Sequence, residues 1–345
     1  MAKFYFWLMV PIFVRLSTVL LVLIIPTIAH SGTLEEVKKR GYLRCGVGHN
    51  DFGFAAIDEN GVWQGFDVDY CRAIASAVLL SPTAVQFIPV DSQTRLPALM
   101  DGEIDVLFRT TTWTFGRDVG LPIQFAAIVL FDQQRVIASA QSGISSLAQA
   151  EGETICVNVG TTSLDNITEF VAMHKISINI LKLETQEGRW NAFLNGRCNL
   201  MTSDYFDLYA GTRTLAPKPD EIVFLADVLS DEPLSVAVRD DDVNWLNIVR
   251  WVVNVTILAE HVKLTKKTLA LPSVNSTVLR LLGEKENTGK HLNLDQHWAK
   301  RVIKSVGNYG DIFNRNLGKN SSFGIIRGAN EIWSNGGLIY APPFR

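Results

Sequence analysis

From Tyr42 onward the chain switches between two rhythms. Short apolar runs alternate with longer segments whose apolar residues fall three or four apart. The run Tyr42–Val47 reads as a strand. The segment from Asp67, with Val68, Cys71, Ala75 and Val78 on one stripe, reads as a helix. A strand over Val85–Val90, a helix around Arg95–Met100 and a strand over Ile104–Phe108 continue the alternation. This order predicts an α/β domain with a largely parallel sheet. A helix precedes it: Thr33 and Glu36 have capping-box spacing, Leu34 and Val37 give an apolar stripe, and Gly41 can end it.

The pattern then returns. Thr154–Val159 is strand-like, Gly160-Thr161-Thr162 follows, and Leu164, Ile167 and Val171 mark a helix. The two halves share a frame as well as a rhythm. Arg95 and Arg189 are each followed by alanine three on, glycine seven on, and Asp105 or Asn199 ten on. Fifteen residues on, the first copy has Thr110 and the second Asp204. Two similar lobes are expected, each offering a loop past a strand's carboxyl end to a shared crevice, where open α/β sheets bind ligands. After Pro233 come a strand, Leu234–Val238, and a helix with Trp245, Ile248, Trp251 and Val252. The final stretch, helical and aromatic with Trp298, Tyr309, Phe313 and Trp333, is expected to pack on lobe 1.

Composition narrows the setting. With 47% hydrophobic and 19% charged residues in 345, the chain is an ordinary globular one. Lys3 and Arg15 are the only charged residues before Ser31, and Leu16–Ile28 is an apolar run ending in Ala29-His30-Ser31. This reads as an export signal, residues 1–31, cut after Ser31; an uncut membrane anchor is the other reading. Without Lys3 and Arg15, 30 basic residues stand against 35 acidic, a charge of -5. That balance gives no footing for nucleic acid or an anionic membrane surface. Four cysteines in an exported chain point to disulfides, with three pairings open. Pairing Cys45 with Cys71 and Cys156 with Cys198 places one staple in each half. No CxxC, HExxH or HxxxH occurs, so neither metal nor cofactor is expected.

The chemistry concentrates in RTTTWTFGRD, Arg109–Asp118, just past a strand. Thr110 and Thr112 can hydrogen-bond, and Arg117 offers a planar fork that fits a carboxylate. In the other lobe Gly160-Thr161-Thr162 opens a helix whose N–H groups favour an anion, and Asp204 suits an ammonium. Together they describe a site for a zwitterion. Each also has a plainer reading. Arg117 can pair with Asp118, Thr161 and Asp204 can cap helices, and Trp113 can be packing.

The chain resembles a substrate-binding protein of a bacterial amino-acid ABC transporter (solute-binding protein family 3), and within it the general L-amino-acid-binding subgroup. The segments that carry the resemblance are RTTTWTFGRD, GFDVDYCRA (65–73), VGTTS (159–163), NGRCNLMTSD (195–204), EPLSVAVR (232–239), VGNYGDIFNRN (306–316) and the terminal GGLIYAPPFR. It implies a two-lobed periplasmic-binding-protein type II fold, each lobe a mixed, mainly parallel sheet flanked by helices. Lobe 1 would be residues 32–132 with 231–345 and lobe 2 residues 133–230, hinged near Phe131-Asp132 and Leu229–Asp231. It implies a non-enzymatic, monomeric periplasmic receptor that closes on an L-amino acid and delivers it to a membrane permease. Arg117, Thr112 and Thr162 would hold the α-carboxylate, with Thr161 beside them, while Thr110 and Asp204 take the ammonium. Phe52 would form a side-chain wall. The subgroup's Arg-Asn-Thr-Thr-Trp reads Arg-Thr-Thr-Thr-Trp here, and Asp51-Phe52 replaces smaller apolar residues. A periplasmic enzyme on the same fold, such as a dehydratase, is the alternative; it needs an acid or base, for which Asp204 is the candidate.

Overall fold

The computed structural model describes residues 32–345, which form one compact unit; the proposed signal, 1–31, lies outside the described residues. After α1 (Thr33–Arg40) come β1 (Leu43–Val47), a small hairpin of β2 (Ala56–Ile57) and β3 (Trp63–Gln64), α2 (Phe66–Leu79), β4 (Val85–Pro89), α3 (Arg95–Met100), β5 (Val106–Thr112), α4 (Phe115–Gly120) and the long β6 (Ile123–Ser139). The second half repeats the order with β7 (Thr154–Asn158), α5 (Thr162–His174), β8 (Asn179–Leu183), α6 (Gln186–Leu194), β9 (Leu200–Asp204), α7 (Tyr205–Leu215) and the long β10 (Ile222–Arg239). Four helices close the chain: α8 (Val243–His261), α9 (Ser276–Leu281), α10 (Trp298–Val306) and α11 (Tyr309–Asn316).

The strands form one ladder in the order β4-β1-β5-β10-β6-β9-β7-β8. It holds two sheets of matching design. In lobe 1, β1 runs parallel to β4 and β5, and β10 pairs antiparallel with β5 from Leu234. In lobe 2, β7 runs parallel to β8 and β9, and β6 pairs antiparallel with β9 from Gln134. The antiparallel pair β6 and β10 runs through both sheets, with Asp132 opposite Glu232 and Phe131 opposite Pro233 where they cross. The result is the two-lobed fold, each sheet mainly parallel with one antiparallel strand.

Both disulfides are the near-neighbour ones. Cys45–Cys71 ties β1 to α2, and Cys156–Cys198 ties β7 to the turn before β9. Each closes a loop (26 and 42 residues) whose chain entropy gives about 3.5 to 4 kcal/mol of stabilisation. The aromatic C-terminal region packs on lobe 1 as expected. Trp298, Tyr309 and Phe313 are fully buried in its core, and the Tyr309 hydroxyl donates to the Val129 carbonyl at 3.0 Å. One local expectation fails. Thr33 does not cap α1: Gly32 takes the N-cap position, and the Thr33 hydroxyl accepts from Arg239 Nη2 at 3.1 Å. A long-range donor outcompetes the local one there.

Candidate functional site

The carboxyl ends of β5, β7 and β9 open on one narrow crevice between the lobes. Its walls include Thr110 and Thr112 from lobe 1 and Thr161, Thr162 and Asp204 from lobe 2, so the fold brings together most of the residues singled out from the sequence. The lobes touch across it. The Thr112 and Thr162 hydroxyls lie 3.3 Å apart, Arg95 Nη2 donates to the Gly160 carbonyl at 3.4 Å, and Gln186 Nε2 donates to Asp51 Oδ1 at 3.5 Å. Gly160 has φ +70°, and a Cβ there would meet the Ser92 carbonyl oxygen at 3.0 Å. Only glycine allows both the backbone turn and this approach.

Several of the plainer readings can now be decided. Thr161 is a helix cap, its hydroxyl accepting from Leu164 N at 3.2 Å. Thr162, one residue on, sends its hydroxyl to Glu232 Oε2 at 3.1 Å, and its N–H, like that of Ser163, belongs to the first turn of α5, where helices leave donors unmatched. Asp204 stands at the N-cap position of α7 but makes no side-chain cap bond. The carboxylate of Asp132 accepts from Phe206 N instead, at 3.1 Å, leaving Asp204 to the crevice. Trp113 is packing: it stacks on Phe125 with ring centroids 5.3 Å apart.

Arg117 is half-buried beside the wall and is not among the residues that line the crevice. Its Nη1 donates to the Thr112 carbonyl at 2.9 Å, and Glu232 and Asp204 are the strongest charges acting on it. Burial lowers its pKa below the ordinary guanidinium value, against the pull of those carboxylates. Phe52 is half-buried and does not line the crevice; its neighbour Asp51 does. Asp51 is turned inward by a tight turn in which the Ala55 carbonyl and N–H pair with its backbone.

The sequence reading missed the arginines. Arg95 and Arg189, the paired residues that open the two copies of the internal frame, are 2% and 3% exposed and both line the crevice, with Arg109 beside them. Arg95 donates to the carbonyls of Arg109 and Thr110 at 3.0 and 3.3 Å, while Arg189 pairs with Asp207. In both, the buried Nε has no protein partner. The frame itself was the available signal, since its first matched residue in each copy is an arginine.

Enclosure governs the acids. Burial, then Asp207, pushes the Asp51 carboxyl up to about 6. Burial, then Glu232 and Asp207, pushes Asp204 up to about 8. A crevice that holds carboxyls this high is arranged to receive a cation that would restore their charge.

Thr110 has φ +36°, unusual for a β-branched residue, and its N–H hydrogen-bonds the buried Asp67 carboxyl. Asparagine tolerates this backbone better. Thr110→Asn is therefore expected to stabilise the fold by about 1 kcal/mol, a rise of roughly 2 °C in Tm. An unchanged or lower Tm in a thermal melt would contradict the strain argument.

The arrangement is that of a ligand trap between lobes, and comparison with known proteins agrees. Residues 43–300 match the family described as bacterial extracellular solute-binding proteins, family 3. The chain belongs to that family. Among the family's members, the chain is similar to the glutamate/glutamine/aspartate/asparagine-binding protein BztA of Rhodobacter capsulatus, with 40% identity over 95% of this chain and 98% of the relative. It is equally similar to the general L-amino acid-binding periplasmic protein AapJ of Rhizobium johnstonii, with 40% identity over 92% of this chain and 94% of the relative. A solved structure, an ABC transporter periplasmic binding protein from Brucella ovis with glutathione bound, superposes with a TM-score of 0.88. It is 41% identical and covers 92% of this chain and 100% of that one. Membership in family 3 makes the chain a solute-binding protein of two-lobed fold.

Proposed function

We propose that this chain is a periplasmic receptor, exported by a cleaved signal at residues 1–31, that captures L-amino acids with acidic or carboxamide side chains. It would deliver them to the permease of an ABC transporter. Lobe 1 is taken as residues 32–132 with 231–345, and lobe 2 as 133–230. The observation that carries the reading is a crevice with three polar ends. Thr112 and the α5 N-terminus, backed by Arg117 on the Thr112 carbonyl, suit an α-carboxylate. Thr110 and Asp204 suit an α-ammonium. Arg95, Arg109 and Arg189, with Gln186, suit a second carboxylate or an amide.

Ligand contacts come from both lobes, so the closed state gains affinity that an open one lacks, and the ligand shifts the population toward closure. The names of the relatives point the same way. BztA is named for four ligands with acidic or carboxamide side chains. Glutathione, bound in the Brucella ovis structure, presents a glutamyl group with a free α-carboxylate and α-ammonium. The enzyme alternative gains no support, because the relatives are named as binding proteins.

Calorimetric titration with L-glutamate, L-glutamine, L-aspartate, L-asparagine, L-leucine, L-lysine and glutathione tests the side-chain reading. The acidic and carboxamide ligands are expected to bind at least tenfold more tightly than leucine or lysine, because an apolar or cationic group offers no acceptor to the buried Nε groups of Arg95 and Arg189. Equal affinity across the panel would sink that reading.

A further inference from the structure

The two strands that cross between the lobes change anchorage at a single rung. On the lobe 2 side both residues of that rung are tied by their carboxylates. Asp132 accepts from Phe206 N at the start of α7 at 3.1 Å, and Glu232 accepts from the Thr162 hydroxyl at 3.1 Å and Asn166 Nδ2 at 3.2 Å, both on α5. One residue away on each strand, the ties go to lobe 1. The Pro233 carbonyl accepts from Trp113 N at 3.0 Å. Phe131 is held at both of its backbone groups by one side chain: its N–H donates to Asn330 Oδ1 at 2.7 Å, and its carbonyl accepts from Asn330 Nδ2 at 2.9 Å.

Asn330 is itself fixed. It is 2% exposed, and its carbonyl accepts from Arg327 Nε and Nη2 at 3.1 and 2.8 Å. The Arg327 guanidinium is in turn paired with Glu260 of α8. Here β6 is the edge of the lobe 1 sheet, since its partnership with β9 begins only at Gln134. Without Asn330 the edge at Phe131 has no protein amide to meet it, and bending can spread back along the strand toward Val129. Asn330 also lies beyond residues 43–300, the span that matches the family.

We propose that Asn330 is a positioning residue for capture: it clamps the hinge strand from the C-terminal region and confines lobe rotation to the Phe131–Asp132 and Glu232–Pro233 junctions. Confinement limits the conformations of the open state, so less freedom is lost on closing and affinity rises. The inference rests on the receptor reading for its ligand, L-glutamate, but its first readout needs no ligand.

The experiment uses residues 32–345, the compact unit, with spin labels at Leu80→Cys in α2's C-cap and Met173→Cys in α5. Both positions are exposed, and the four native cysteines are disulfide-bonded. Interlobe distance distributions are recorded for the otherwise unchanged protein, Asn330→Ala, Asn330→Asp and Ile325→Ala, a buried control in the same region. Without ligand, Asn330→Ala is expected to broaden the distribution toward longer distances, and Asn330→Asp, which keeps the acceptor for Phe131 N–H, to do so partly. L-Glutamate Kd should rise about tenfold in Asn330→Ala. Ile325→Ala should lower Tm while leaving the distribution and Kd unchanged. An unaltered distribution in Asn330→Ala, or equal broadening in Ile325→Ala, would overturn the proposal. Should L-glutamate bind none of the proteins, the receptor reading fails separately and the ligand-free distributions still decide the clamp.

Discussion

Replacing Arg117 by alanine is expected to weaken L-glutamate binding by about 4 kcal/mol, roughly a thousandfold in Kd. The loss is large because the carboxylate enters a crevice already walled by protein, and an unpaired charge there costs far more than a paired one gains. The fold should survive. Arg117 is half-buried, and the α4 cap it completes, Arg117 N to the Thr114 hydroxyl at 3.3 Å, is made by the backbone. Arg117→Lys should recover only part of the affinity, since an ammonium cannot pair in two parallel bonds. Calorimetry with circular dichroism as a fold check decides it. If Arg117→Ala binds normally, the α-carboxylate is read by the crevice arginines Arg95, Arg109 or Arg189 instead, and the ligand lies the other way round.

Asp204→Asn is expected to weaken binding about 100-fold, the effect of leaving a buried ammonium without its counter-charge. It should also remove a pH dependence. Asp204 is pushed up to about 8 by burial and its acidic neighbours, against an ordinary 3.8. A carboxyl raised in this way stabilises the fold most below its unfolded pKa, and the contribution disappears as pH rises through about 8. The ligand-free protein should therefore lose stability between pH 6 and 8. Binding has the opposite sign: the incoming ammonium favours the ionised carboxylate, so capture releases a proton and affinity climbs with pH up to about 8. Asp51, near 6, is largely ionised above pH 7, so the window from 7 to 8 reports on Asp204. A flat profile in the unaltered protein, or an unchanged profile in Asp204→Asn, would remove Asp204 from the ammonium role.

The sequence made the scaffold legible because its rhythms are local. Strand and helix patterns, the repeated frame and the near-neighbour cysteines each act over short spans, and the two-lobed fold follows from them. Thr110, Thr112, Thr162 and Asp204 were legible because loops past parallel strands are where such folds place ligands. Arg95 and Arg189 are not legible as site residues, since an arginine opening a helix ordinarily faces water; here the carbonyls of Arg109 and Thr110 hold Arg95 and Asp207 holds Arg189. Asp51 was passed over for Phe52 because side-chain direction in a tight turn depends on backbone pairing, here with Ala55, that spacing does not reveal. Thr33 illustrates the same limit, its expected cap lost to Arg239, a residue more than two hundred positions away. The clamp on Phe131 by Asn330 is likewise a contact between distant segments, outside the reach of any periodicity.

The central claim is that the crevice reads both charges of an α-amino acid at once. The most direct test is calorimetric titration of ligand-free protein with L-glutamate and, in parallel, 2-oxoglutarate, which keeps both carboxylates and lacks the ammonium. L-Glutamate should bind at micromolar Kd or tighter, and 2-oxoglutarate at least about a hundredfold more weakly, since Asp204 would then face a carbonyl. Comparable affinity for the two, or no binding of either, would contradict the account.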